Sequence, residues 1–341
     1  MTKFILKKSF KIRFEKFLSS DLFNDQSDHA KTAYWKYHSK KINYTIKESI
    51  LSLEGESGNY IPHKRNSFKF FLKALKIFVK KVVGVEKSNK LSYKEAFSKV
   101  MKDARIAGFQ QVHIDKNKIL AKNISDCKKI FPFDYEINDH IIKSYYLINI
   151  LNSYIDLSKT EFIIDIGAGN GNLISLLKHH FQTKCIVDID LPETLILCIP
   201  FLNNLFPDAK IILPNEINDQ IDENTLLNHD FIFLTPSQVT FLKENLIDLF
   251  ININSFGEMN MLQINEYLNL IQKAGKNDSF FFNSNRVEKI PFAGKKDPNI
   301  KPIRFFEYPF FKNEILFFEI CRFISLVQTD PIYLKLEKIK K

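Results

Sequence analysis

The chain has 341 residues, 45% hydrophobic and 26% charged, with 33 Phe, 10 Gly and 12 Pro. That length and apolar content allow one large α/β domain plus an appendage, and exclude a fibrous or low-complexity protein. The net charge of +10 is unevenly placed: residues 1–130 carry 29 Lys/Arg against 12 Asp/Glu, whereas the remainder is net −7. A basic region over 1–130 and a separate domain over 131–341 are therefore expected.

Residues 1–65 mix charge with short apolar stretches and read as helices with loops. Turn chemistry over 55–65 reads as a linker. Over 67–83, Phe68, Phe71, Leu72, Leu75, Phe78, Val79 and Val82 fall on one helical face, while Lys69, Lys73, Lys76 and Lys80 fall on another. Such a basic amphipathic helix either packs on its own domain or lies on an anionic membrane surface, which makes 66–84 a candidate for peripheral membrane contact. No nucleic-acid motif accompanies the charge, and no nucleic-acid partner is expected. Helices follow over 93–107 and 139–153, so the N-terminal region is expected to be mostly helical. The first residues lack an apolar core and a cleavage site, so no signal peptide is expected. No run of about 18 apolar residues occurs. Cys127, Cys185, Cys198 and Cys321 form no CxxC pair and read as reduced, buried thiols. Together these features point to a cytoplasmic protein, at most peripheral at the inner face of the membrane.

From Glu161 onward, short apolar runs alternate with helical segments, as in a parallel sheet with crossovers. Strands are expected over 162–166, 185–189, 210–213, 230–234, 249–253 and 279–283, with one or two more over 315–327. Helices are expected over 172–181, 193–205 and 260–274.

The first of these strands runs into a glycine turn that opens a helix: Phe162-Ile163-Ile164-Asp165-Ile166-Gly167-Ala168-Gly169-Asn170-Gly171-Asn172. Glycines permit the sharp turn and leave no Cβ in a ligand's way, and the N–H groups of the new helix face an anionic group. The spacing is G-x-G-x-G with an acid two residues before the first Gly, unlike the G-x-G-x-x-G of dinucleotide-binding dehydrogenases. The second strand ends in Asp190-Leu191-Pro192-Glu193, one strand–helix–strand unit after Asp165. An acid at that tip can accept both hydroxyls of a ribose. Asp188 is the competing carboxylate; alternation points it the same way as Asp190, which lies nearer the ligand-binding edge of the sheet.

Asp-Ile-Gly-Ala-Gly-Asn-Gly followed by Asp-Leu-Pro-Glu-Thr-Leu resembles the class I methyltransferases. The segments Asn252-Ile253-Asn254-Ser255-Phe256-Gly257-Glu258-Met259, Phe281-Phe282-Asn283-Ser284-Asn285-Arg286 and Phe305-Phe306-Glu307-Tyr308-Pro309 are similar to the bacterial sugar O-methyltransferase family, over roughly 130–325. The resemblance implies a Rossmann-like sheet with helices on both faces and S-adenosylmethionine as the cofactor. Asp165, Gly167, Ala168, Gly169, Gly171, Asp190, Leu191 and Ser255 would be its binding residues. It implies methyl transfer to a sugar hydroxyl of a nucleotide sugar or a surface-polysaccharide glycan, so the partner would be a sugar-containing small molecule or a lipid-linked acceptor. A phenolic acceptor and a non-catalytic donor-binding module are the alternatives. Glu258 is the candidate base; a helix-end charge or a bond to Arg286 is its structural alternative. Arg286 is the candidate grip on an acidic group of the acceptor, with Asn254, Asn283 and Asn285 as amides for sugar hydroxyls. The histidines show no ligand spacing, and no metal is expected.

Overall fold

The computed structural model describes residues 2–24, 35, 42–55, 90–106, 120–121, 123–127, 137–181, 183–289 and 302–341. The expected amphipathic helix over 67–83 and the linker residues 56–65 lie outside this set.

The N-terminal part begins with β1 (Thr2–Ile5) and α1 (Lys8–Leu18), followed by β2 (Ile42–Lys47) and β3 (Ile50–Gly55). The three strands form an antiparallel sheet in the order β1-β3-β2, which joins the helices expected there. Its signal is a period of two: along β2 exposed side chains alternate with half-buried Ile42, Tyr44 and Ile46. Runs this short are easily lost among flanking charges. Arg13 of α1 grips Glu216 with two hydrogen bonds of 2.5 and 2.6 Å, and Lys7 donates to the Pro207 carbonyl at 2.9 Å. The basic segment is thus tied by ion pairing to the acidic one.

Among the described residues, two longer helices lie between the small sheet and the large one. They are α2 (Tyr93–Ile106) and α3 (Asp139–Tyr154), the latter capped by Asn138, whose side chain accepts from the Ile141 amide. The sheet strands are β4 (Phe162–Ile166), β5 (Cys185–Ile189), β6 (Ile211–Ile212), β7 (Phe231–Leu234), β8 (Ile247–Ile253) and β9 (Gly275–Arg286). After the two-residue strands β10 (Glu288–Lys289) and β11 (Ile303–Arg304) come β12 (Glu314–Ile320) and β13 (Ile332–Lys338). Crossover helices are α4 (Asn172–Phe181), α5 (Pro192–Leu205) and α6 (Met261–Ala274). The order is β12-β13-β9-β8-β4-β5-β7-β6, parallel except where β13 runs antiparallel between β9 and β12.

β4 and β5 are buried along their whole length, as interior parallel strands require. Ile163 and Ile186 join an apolar cluster with α3, α4 and α5; Phe162, Ile164, Ile166, Val187 and Ile189 join a second cluster with α6 on the opposite face. This is the expected Rossmann-like architecture. No helix among the described residues is long and apolar enough to cross a membrane. All four cysteines are buried and unpaired.

The C-terminal end meets one expectation and adds a strand that was not expected. The run over 315–327 supplies one strand, β12, and then a single helical turn, Arg322–Ser325. The strand that completes the sheet, β13, was not anticipated, because its lysines and Glu337 read as surface. In the fold Lys335 and Glu337 are buried and pair with each other at 2.8 Å, and the Lys335 ammonium lies 3.5 Å from the Phe310 ring centre.

Candidate functional site

In strand order, β5 and β4 lie side by side with β8 beyond. The chain leaves β4 for β5 in one direction and returns to β8 and β9 in the other. The crevice at the C-terminal ends of the strands at such a switch point is where ligands bind. Here it is a cleft of about 760 Å³, within the range of small-molecule sites.

The glycine turn forms its floor. Gly167, Gly169 and Gly171 all have positive φ, at 82°, 65° and 80°. A Cβ on Gly167 would come within 2.6 Å of Ser255 Oγ, and one on Gly171 within 2.7 Å of Cys198 Sγ, whereas one on Gly169 would meet nothing within 4 Å. The first and third glycines are therefore required by packing. Gly169 faces open space in the cleft. Gly169→Ala should cost about 1 kcal/mol of stability through its left-handed backbone and weaken donor binding by about tenfold or more by filling the approach. Thermal melts and calorimetry on the one variant separate the two effects; unaltered donor affinity would place the ligand elsewhere.

Three carboxylates converge beneath this turn. Asp190 Oδ2 accepts from the Gly169 amide at 2.9 Å, and Oδ1 accepts from its own neighbour Leu191 at 2.7 Å. Asp188 Oδ1 accepts weakly from Ala168 at 3.4 Å. Asp165 Oδ1 is buried with no hydrogen-bond partner. Burial, with the Asp190 charge second, pushes the Asp165 carboxyl well above its usual range. Burial, followed by the charges of Asp190 and Asp165, does the same to Asp188. Burial raises Asp190 from 3.8 to about 7, while the Gly169 and Leu191 amides pull it back. An orphaned buried carboxyl beside two others suits a ligand that brings a positive charge and hydroxyl donors.

Of the expected cofactor residues, Asp165, Gly167, Ala168, Gly169, Asp190, Leu191 and Ser255 all line the cleft. Gly171 lies just behind it, closing the turn through its amide to the Ala168 carbonyl at 3.2 Å. Ser255 Oγ donates to the Ile166 carbonyl at 2.8 Å, so it braces the turn from β8.

The expected acceptor cluster divides. Asn254 lines the cleft, adopts a positive φ of 64°, and has a buried Oδ1 with no partner. Asn283 and Asn285 do not line it. They are fully buried within the sheet, where Asn285 donates to Asn283 and, at 2.7 Å, to Asn252 Oδ1. Asn252 in turn donates to the Ile166 carbonyl, and the Gly257 amide donates to Asn285 Oδ1. These amides hold the loop after β8 in place and do not meet an acceptor. Alternation along β9 does not say which of its polar side chains reach the edge; only the packing of β8 and β13 on either side does.

Glu258 lines the cleft, and its charge is felt by Asp190. Its ion-pair partner is Lys289 on β10, not the Arg286 weighed as the structural alternative. Arg286 is not among the cleft-lining residues, and its guanidinium is turned toward Asp330 at 3.8 Å. The reason is register: β9 ends at Arg286 opposite Ile332 of β13, which carries the side chain toward the turn before that strand.

Among the lining residues missed from sequence are Trp35, His140, Lys143 and Tyr267. Lys143 sits on α3, a helix otherwise almost wholly buried. Its signal was legible in principle. His140, Lys143 and Ser144 fall at i, i+3 and i+4, a polar stripe interrupting an apolar helix. Of the remaining histidines, His180 bonds Tyr145 at 2.9 Å and His229 bonds the Thr225 carbonyl at 2.8 Å; His113 lies outside the described residues.

A scan against protein-family models finds no match, and a search of curated proteins finds none either. Solved structures do overlap the chain. A SAM-dependent methyltransferase from Methanosarcina mazei is 11% identical, covering 56% of this chain and 98% of its own, with a TM-score of 0.38. Geranyl diphosphate C-methyltransferase from Streptomyces coelicolor is 9% identical, covering 74% and 99%, with a TM-score of 0.38. A sarcosine dimethylglycine methyltransferase candidate from Galdieria sulphuraria is 13% identical, with a TM-score of 0.32. This chain spans 47% of the length of that last protein, and 43% of this chain is covered.

Proposed function

We propose that the protein is an S-adenosylmethionine-dependent methyltransferase acting on a sugar hydroxyl. The observation that carries the donor reading is the shared cleft in which Asp190 meets the Gly169 amide while Asp165 keeps a buried oxygen without a partner. The residues present fit that cofactor. Asp190 has lone pairs left for two ribose hydroxyls, Asp165 offers a negative charge to an ammonium, and Gly169 leaves open space for the ligand to approach the turn. When bound, the group supplies an electrophilic methyl on a good leaving group.

The chain's own work is then alignment and proton removal. Asn254, held in a left-handed conformation with an unpaired oxygen, can accept a hydrogen bond from an acceptor hydroxyl at the edge of the donor site. Glu258 can take up the proton that the hydroxyl loses, with Lys289 holding the carboxylate in place. Trp35 and Tyr267 line the same cleft and offer flat faces of the kind that sugars stack against.

Calorimetry with S-adenosylmethionine and its demethylated product tests the donor reading. A panel of nucleotide sugars, glycolipids and phenols tests the acceptor. Glu258→Gln should keep donor affinity and lose about 100-fold or more in kcat. A wild-type rate in that variant would remove Glu258 from the chemistry.

A further inference from the structure

The donor reading accounts for the β4, β5 and β8 tips but leaves Lys143, among the charged residues that line the cleft, without a task. Lys143 projects from α3 into the wall of the cleft, one turn after His140. Among the described residues no carboxylate pairs with it. The charges that act on it are those of Cys321 and Arg286, and burial together with the Arg286 charge brings its ammonium down to about 8. Arg286 stands at the end of β9, two strands from β4 and on the side away from β5. The ammonium is thus within reach of the charge at the end of β9. Asp165, the acid nearest in kind, is influenced by Asp190 and not by Lys143.

A cation held in a cavity wall, with no carboxylate paired to it among the described residues, is unfavourable unless a ligand supplies a counter-ion. We propose that Lys143 is the anchor for a phosphoryl group on the methyl acceptor, so that the substrate is a phosphorylated or nucleotide-linked sugar and not a neutral glycan end. Lysine binds phosphate as a point charge, and Lys143 is the basic side chain that α3 brings to the wall of the cleft. Asp165 and Asp190 stand at the β4 and β5 tips that line the same cleft. An acceptor with an anionic end would therefore be oriented along the cleft, its phosphoryl at Lys143 and its hydroxyl toward Asn254 and Glu258. This inference rests on the donor lying at the glycine turn, as proposed above.

The test is calorimetry on the full chain with pyrophosphate as the probe, with and without saturating S-adenosylhomocysteine. The wild type should bind pyrophosphate at one saturable site. Lys143→Met should weaken it by about tenfold or more, and Lys143→Arg should keep it within about threefold. The methionine variant also removes an unpaired charge from a cavity wall, so its melting temperature should not fall, and that confirms a folded protein. Equal pyrophosphate affinity in Lys143→Met, or no saturable binding to the wild type, overturns the proposal. So does a loss of S-adenosylhomocysteine affinity in Lys143→Met with 5′-methylthioadenosine affinity retained, since that would give the ammonium to the donor's own carboxylate. Failure of S-adenosylhomocysteine to bind the wild type would sink the donor reading instead, and the pyrophosphate measurement without it still reports on Lys143.

Discussion

Asp190→Ala should reduce donor affinity by at least about 100-fold, because two hydrogen bonds to a charged acceptor, each worth about 1.5–3 kcal/mol, disappear together. The side chain is buried at the tip of β5, and each oxygen already accepts one backbone amide. That geometry fixes the carboxylate before any ligand arrives, so little of the binding energy goes into ordering it. The fold should survive. The Gly169 amide that loses its acceptor faces the cleft, where water can replace the carboxylate, and an elevated buried acid is removed at the same time. Circular dichroism together with calorimetric titration checks both halves. Near-native donor affinity in a folded Asp190→Ala protein would mean that this acid does not touch the ligand.

The second large effect is pH dependence. Asp190 is raised from 3.8 to about 7 by burial, Asp165 is raised well above its usual range by burial and the Asp190 charge, and Asp188 likewise by burial and the charges of Asp190 and Asp165. The sign follows from proton counting. Between about pH 4 and pH 7 the folded chain holds protons that the unfolded chain has released. The stability this contributes is complete below about pH 4 and is lost as pH rises through about 7. Donor binding runs the other way, since ribose hydroxyls and a positive charge require ionised acids. Affinity for S-adenosylmethionine should rise by about tenfold from pH 6 to pH 8 if one proton is released on binding. The melting temperature of the free protein should fall over the same interval, and the increment added by the donor should grow. Asp190→Asn should flatten the Asp190 contribution to both trends. A donor increment that shrinks with rising pH would contradict the assignment of these acids to the site.

Much of the donor side was legible from the chain alone. The turn Gly167–Gly171 is specified locally, because three residues must take positive φ within five positions and only glycine does so without strain. Asp190 was reachable by counting one strand–helix–strand unit. Alternation along β5 placed Asp188 and Asp190 on one face, and the fold has them both beneath the turn. The acceptor side was not legible to the same degree. Asn254, Asn283 and Asn285 are the same residue type within about thirty positions, yet one faces the cleft and two are locked in the sheet. Arg286 was chosen for its chemistry, and β13, itself unanticipated because its charges pair internally, decides where it points.

The division has a physical origin. Backbone conformation and residue alternation are short-range properties, set by sterics within a few positions, and they determined the glycine turn, the strand-tip acids and the doubly covered parallel sheet. Which polar side chain meets ligand and which meets protein depends on partners brought together from distant segments. Lys289 reaches Glu258 from across a strand connection, and α3 brings Lys143 to the cleft from before the sheet begins. Those contacts exist only once the sheet has closed in its final order, and so only the tertiary structure decided them.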